Sequence, residues 1–272
     1  MSLHFAQSGQ PLRYQVLGRL RVTRGDVDLT PAPPKIAKLL ALLTVRAGEA
    51  VPGDKLVAEL WEQRPPRSAT ASLRVYVSQL RKLLGEPGSG PPPIMTVSPG
   101  YILDVGRAQL DVRLFDELYE NGRVRYFAAD YLGASEHLGQ ALALWRGPVL
   151  DGIAGSLEIN SFAAVEEEKR LNCIELNIES ALALGRHYAA IEELKGLVVQ
   201  HPLREPFYRQ LMAALYRVGR QGDALGVYRR ARKIIRDELG IEPGPPLRLA
   251  QEAILRADPA GLVAGGMTHS LR

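Results

Sequence analysis

The periodicity of this 272-residue chain changes once, near residue 108, and that change limits the fold more than any other feature. Upstream, residues 14–105 mix short alternating segments with helical ones. Downstream, residues 111–256 read as helix after helix. A single hydrophobic core stops growing near roughly 250 residues, so two domains are expected. They are 14–108 and 109–256, with an extension at 1–13 and a tail at 257–272. Charge steps at the same point: 14 Lys and Arg against 8 Asp and Glu in residues 1–108, then 20 against 22 in residues 109–272. The net +4 therefore averages a basic half, suited to a polyanion, with a mildly acidic one. Scatter over a solvated surface would give the same arithmetic, so pattern has to decide.

Several classes are excluded early. With 46% hydrophobic and 24% charged residues the chain holds enough apolar material for cores and is not disordered. One cysteine, Cys173, permits no internal disulfide framework and no zinc finger, and fits a reducing compartment. Its helical, apolar spacing reads as buried. The start, Met1 to Gln7, lacks a basic segment followed by a long apolar one, and apolar runs such as Leu39–Leu43 are far short of the ~20 residues of a membrane helix. A soluble, cytoplasmic protein without a membrane partner is expected.

In the first half, Val16, Leu20 and Val22 alternate with polar residues, Arg24-Gly25-Asp26 is a turn signal, and Val27 and Leu29 resume the alternation. This reads as a hairpin. After the breaker Pro31-Ala32-Pro33-Pro34, the residues Ile36, Leu39, Leu40 and Leu43 predict a helix ending before Gly48, and a second runs from about Gly53 to Trp61, stopped by Pro65-Pro66. The third helix, about Ser68–Leu84, is the informative one. At 100° per residue, Leu73, Val77, Leu80 and Leu84 fall within about 40° of one direction. Opposite them, from about 80° to 240°, lie Arg81, Arg74, Ser78, Lys82, Val75 and Gln79, with no acidic residue. A merely solvated face mixes signs for i,i+4 support. Arginine can fork to guanine, glutamine to adenine, and valine can touch the thymine methyl, so the stripe has the chemistry of a recognition helix.

The loop Gly85–Pro93 follows, then Ile94–Val97, Ser98-Pro99-Gly100-Tyr101 and Ile102–Val105. Pro then Gly at the central positions predicts a type II turn between two strands. Hairpin, helix, helix, basic helix, hairpin is the element order of a winged helix-turn-helix behind a small sheet. Residues 33–103 resemble the OmpR-type winged-helix effector domain, as in a two-component regulator, most specifically at Ala71-Ser72-Leu73-Arg74-Val75-Tyr76-Val77-Ser78-Gln79-Leu80-Arg81-Lys82-Leu83-Leu84. That phrase, closed by Val97-Ser98-Pro99-Gly100-Tyr101, resembles the Streptomyces antibiotic regulatory protein family, activators of secondary-metabolite gene clusters. By motif position the resemblance implies DNA contacts from Arg74, Val75, Ser78, Gln79 and Arg81, with Ser72 beside them and Lys82 toward the backbone. Trp61 and the Arg67-Ser68 loop fall where such domains touch phosphates, although Trp61 also fits a core cap and Tyr76 half-packs. The wing Ile94–Leu103 carries no Lys or Arg, which leaves either Thr96 and Ser98 to read from it or a wing that reads weakly.

In the second half, Leu184-Gly185-Arg186-His187-Tyr188-Ala189-Ala190-Ile191 is echoed by Val218-Gly219-Arg220-Gln221-Gly222-Asp223-Ala224-Leu225. Gly185 to Gly219 and Ala190 to Ala224 both span 34 residues, the tetratricopeptide period. Two clear units fall short of the three or so an array requires, so helices at about 111–125, 127–145 and 158–184 must complete the stack. Glu166-Glu167-Glu168 reads as a solvated face, and so does Arg229-Arg230-Ala231-Arg232-Lys233, which could also meet a partner. Residues 109–256 resemble the bacterial transcriptional activation domain that follows the winged helix in these regulators. The expected fold is mainly α with small antiparallel sheets, a winged helix followed by an all-α tetratricopeptide-like domain.

What the resemblance implies is an activator that binds direct repeats in double-stranded promoter DNA near the −35 region, as two or more protomers in tandem, and recruits RNA polymerase with its sigma factor. The alternative is a helical-repeat scaffold whose winged helix binds protein only. The 13 residues ahead of Tyr14 leave no room for a phospho-accepting receiver, and no Gly-x-x-x-x-Gly-Lys-[Ser/Thr] occurs, so activity is expected to follow abundance. No His-Glu-x-x-His, cysteine pair or Gly-x-Ser-x-Gly is present. No enzyme, catalytic residue, metal or cofactor is expected.

Overall fold

The computed structural model describes residues 10–62, 64–85, 92–106 and 109–258. The extension as far as residue 9, most of the Gly85–Pro93 loop and the tail beyond 258 lie outside the described residues. Helix dominates, with two small antiparallel sheets, as expected. The chain divides into two compact units: Met1–Glu120 with Gly139–Asn172, and Asn121–Leu138 with Cys173–Arg272.

The first unit opens with a meander of β1 (Leu12–Gln15), β2 (Arg21–Arg24) and β3 (Val27–Asp28), in that spatial order. This corrects the expected hairpin: the alternating run is two strands, broken at 16–20. The break has a cause. Val16 and Leu17 turn their amides onto the Asp111 carboxylate, Val16 N at 2.9 and 3.1 Å from its two oxygens and Leu17 N at 3.1 Å. Their carbonyls accept from Leu150 N and Arg146 N, at 2.9 and 2.8 Å. Gly18 makes the bend with φ +142°, and a Cβ there would lie 3.1 Å from that of Arg146. Asp111 also takes the Arg146 guanidinium at 2.6 Å.

Next come α1 (Pro34–Val45), β4 (Val51–Pro52), α2 (Gly53–Trp61), α3 (Ala69–Leu84), β5 (Ile94–Val97) and β6 (Gly100–Leu103). Leu39, Leu40 and Leu43 of α1, Leu56 and Leu60 of α2, Leu73, Val77, Leu80 and Leu84 of α3, and Ile94 and Leu103 of the wing are all buried, forming one core. The second sheet has the order β4-β6-β5. A two-residue β4 carries no alternation to read, so the sequence gives it no signal. The wing turn is also corrected. Val97 pairs with Gly100, so the turn residues are Ser98 and Pro99, and Gly100 lies in the strand. Its lack of a side chain serves a close approach, because a Cβ would lie 1.9 Å from the Val51 carbonyl oxygen.

Downstream run α4 (Asp111–Phe127), α5 (Tyr131–Leu142), α6 (Leu157–Ala183), α7 (His187–Gln200), α8 (Glu205–Arg217), α9 (Gln221–Leu239) and α10 (Pro245–Leu255). The helix expected from 127 starts at 131, because Asp130 caps it through Gly133 N at 3.0 Å. Within the first unit Phe115 packs edge-on to Trp145, at 5.5 Å between centroids, and Arg170 covers that indole. Glu166 is buried rather than solvated, paired with Lys169 at 3.0 Å, which also holds Asp116 at 2.8 Å.

In the second unit α7 packs on α8, α8 on α9, and α10 on both α8 and α9. The 34-residue echo has a structural counterpart. Gly185 and Gly219 adopt φ +76° and +78°, and the amides of Arg186 and Arg220 close back onto Ala181 and Leu215. Ala190 and Ala224 are both buried, where small side chains let the helices approach. Cys173 is buried, its thiol 3.7 Å from the Leu138 carbonyl, and burial pushes its pKa up to about 12. No helix among the described residues is long and apolar enough to cross a membrane.

Candidate nucleic-acid interface

The candidate interface is built on α3. Its apolar residues at positions 73, 77, 80 and 84 are all drawn into the core, which leaves the opposite face in solvent. Arg74, Val75, Ser78, Gln79 and Lys82 are exposed along it, and Val75 keeps 52% of its surface open to solvent. An exposed valine amid arginine, serine and glutamine has no core to serve here. Ser72 is half-buried, and Arg67 and Ser68 lie exposed in the connection that leads into the helix.

Arg81 differs from its neighbours. It is half-buried, its Nε donates to the Ile94 carbonyl at 2.8 Å, and its Nη2 donates to Thr96 Oγ1 at 2.7 Å. Thr96 is exposed on β5 and Ser98 exposed in the wing turn. Trp61 is half-buried at the end of α2 and stacks on Tyr76, with centroids 6.0 Å apart and planes 17° from parallel. Lys35 places its ammonium 5.5 Å from the same indole and donates to the Leu60 carbonyl. Trp61 therefore caps packing between α2 and α3 while holding a cation at the surface.

Lys35 and Arg64 are further exposed cations that join the candidates read from sequence. Their signal was faint: Arg64 is one cation in a proline-rich connection, and the place of Lys35 depends on a tertiary contact with Trp61.

Five cations elsewhere in the module are neutralised within the chain. Arg19, Arg21, Lys38, Arg46 and Lys55 each pair with a carboxylate. Glu158 serves two of them, Arg46 and Lys55, the latter at 2.7 Å. Burial pulls the Glu158 pKa upward, but hydrogen bonds and charge from Lys55 and Arg46 outweigh it and hold the carboxyl below its usual range. By contrast Lys35, Arg64, Arg67, Arg74, Arg81 and Lys82 have no ion-pair partner among the described residues. Arg13 and Arg24 of the first sheet also lack a carboxylate partner among the described residues, so the unneutralised cations gather on α3, the connection before it and the start of α1 without being confined there. That pattern suits an anion the chain does not itself supply. Among the described residues, no group of three or more His, Cys, Asp or Glu side chains is placed to hold a metal.

Comparison with known proteins gives two domain matches. Residues 26–103 match the model "Transcriptional regulatory protein, C terminal", and residues 110–255 match "Bacterial transcriptional activator domain". The chain is 37% identical over 254 residues to the regulatory protein DnrI of Streptomyces peucetius, covering 91% of this chain and 93% of that protein. It is 40% identical over 252 residues to the transcriptional regulatory protein EmbR of Mycobacterium tuberculosis, covering 91% of this chain. Of that relative's length the chain spans 64%. A solved structure of M. tuberculosis EmbR in complex with a low-affinity phosphopeptide superposes with a TM-score of 0.90 at 37% identity, covering 95% of this chain and 69% of that one.

Proposed function

Because the chain belongs to the family of bacterial regulators that join an OmpR-type winged helix to a bacterial transcriptional activator domain, the Streptomyces antibiotic regulatory proteins, we propose that it is a sequence-specific DNA-binding activator of transcription. The observation that carries this reading is the acid-free exposed face of α3, surrounded by cations without carboxylate partners. Residues 14–108 act as the DNA module and 109–256 as the activating one. The helix α3 enters the major groove, where Arg74 can fork to guanine, Gln79 can pair with adenine and Val75 can meet a thymine methyl. Lys82, Arg67, Lys35 and Arg64 supply phosphate contacts that set register without reading sequence. The wing follows an adjacent groove through Thr96 and Ser98.

Two protomers on direct repeats near a −35 region would present their helical domains to RNA polymerase and its sigma factor. The controlled genes would form a secondary-metabolite cluster, and the protein would act at the nucleoid in the cytoplasm. The test is footprinting of the full chain on the promoters that flank its own gene, with a salt titration. Neutralising about six phosphates gives a log–log slope near −5, so a fourfold rise in salt weakens binding about 10³-fold. Protection of repeated half-sites with that slope supports the proposal. Equal affinity for all sequences, with little salt dependence, would favour a protein-binding scaffold.

A further inference from the structure

On the reading of α3 as the recognition helix, we propose that Arg81 is a positioning residue that locks the wing to that helix, and that it reads no base itself. The guanidinium uses its Nε and Nη2 on β5, at the Ile94 carbonyl and Thr96 Oγ1, and its carbon lies 6.0 Å from the Tyr101 ring centroid on β6. Thr96 and Tyr101 are paired across the wing, so one side chain holds both strands at a single rung. Nε with Nη2 is one of the two-donor forks by which arginine grips a flat acceptor pair, and here both donors are taken by the wing. The half-buried side chain of Arg81 contrasts with the exposed Arg74, Ser78 and Gln79 on the same helix.

The lock also explains how a wing without Lys or Arg can contribute. Thr96 Oγ accepts from Arg81 and so keeps its own hydrogen to donate, and the hydroxyl is exposed. Arg81 thereby aims a neutral donor at the adjacent groove and fixes the angle between α3 and the wing. Lysine in its place could supply the charge but not the planar fork.

The test uses the full chain on a duplex selected from random sequence by the wild-type protein. It measures affinity, salt slope, base preference and hydroxyl-radical protection for Arg81→Ala, Arg81→Lys, Thr96→Val, the double variant Arg81→Ala/Thr96→Val, and Arg74→Ala as a control. Arg81→Ala and Arg81→Lys should both lose about tenfold in affinity, together with protection at the wing edge of the site. Base preference in the core and the salt slope should stay as in the wild type. The double variant should lose little more than the worse single one, since both remove one linkage.

The inference fails if Arg81→Ala relaxes one base position while wing protection survives. It fails equally if the slope falls by about one, the mark of a lost phosphate contact, or if Arg81→Lys matches the wild type. Additive losses in the double variant would also overturn it, a result that stands even if Arg81→Ala is poorly folded. An Arg74→Ala protein that binds like the wild type would instead overturn the assignment of α3, which separates the two failures.

Discussion

Replacing Asp111 tests how the DNA module is held. Asp111 is 8% exposed, and its carboxylate accepts from the amides of Val16 and Leu17, residues that are 1% and 0% exposed, and from Arg146. Asp111→Ala leaves two buried N–H groups without acceptors, each costing about 1–3 kcal/mol. The Arg146 side chain, 38% exposed, can turn to water and adds little. The expected loss is about 2–6 kcal/mol, against a total stability of about 5–15 kcal/mol. Asp111→Asn keeps one acceptor and should lose about half as much. The assay is urea unfolding of the full chain followed by tryptophan fluorescence, because Trp61 and Trp145 both lie in the first unit. With a slope of about 2 kcal/mol/M, the midpoint should fall by about 1–3 M for the alanine variant. A shift under about 0.2 M would refute the view that this carboxylate holds the segment between β1 and β2. The same contacts bear on truncation: a fragment ending at residue 108 lacks Asp111, Arg146 and Leu150 and should fold poorly, so its silence in transcription would say nothing about activation.

Further tests are simpler. Gly100→Ala would drive a Cβ into the Val51 carbonyl, so β6 must leave β4, at a cost of about 1–3 kcal/mol or more, visible as a lower Tm; an unchanged Tm would contradict the packing. Native Cys173 should resist aromatic disulfide reagents from pH 7 to 9 and react only on denaturation, since burial withholds the thiolate. The Glu158 pKa is depressed by Lys55 and Arg46, so its stabilising effect is present above the ordinary glutamate value, about 4.3, and is lost as pH falls through the lower folded-state value. Glu158→Gln should flatten that acid limb of the pH–stability curve; an identical limb would remove Glu158 from the explanation. Arg74→Ala should cost about 1–3 kcal/mol of binding and relax one base position, whereas Lys82→Ala should weaken all sequences alike and lower the salt slope by about one.

Helices driven by apolar spacing were legible from sequence. The second helix has the bounds read for it, Gly53–Trp61, and α3 begins one residue later than expected, because the burial pattern that forms them is local. Features set by distant partners were not legible. The alternation from Tyr14 to Val22 gives no sign that residues 16–20 leave the sheet, since the cause is Asp111, 94 or more residues away. The Pro99-Gly100 pair reads as a turn centre, yet Gly100 is required by Val51 across the sheet. Glu166 looks solvated beside two more glutamates until Lys169 and the packing around α6 are known.

The interface shows the same division. The exposed stripe of α3 follows from helical geometry alone, whereas the tethering of Arg81 to Thr96 requires the fold. Charge counted by segment is a weak guide, because the division into compact units does not follow the step near residue 108. What marks the interface is the exposed, acid-free stripe of α3.

The central claim is that the exposed face of α3 reads base sequence. The most direct measurement is the ratio of affinities for the selected duplex and for a scrambled one, at one salt concentration, in the wild type and in Arg74→Ala. Loss of a bidentate base contact should lower that ratio by about 5- to 150-fold while leaving scrambled-sequence binding within about tenfold of the wild type. An unchanged ratio, with both affinities intact, would contradict the claim.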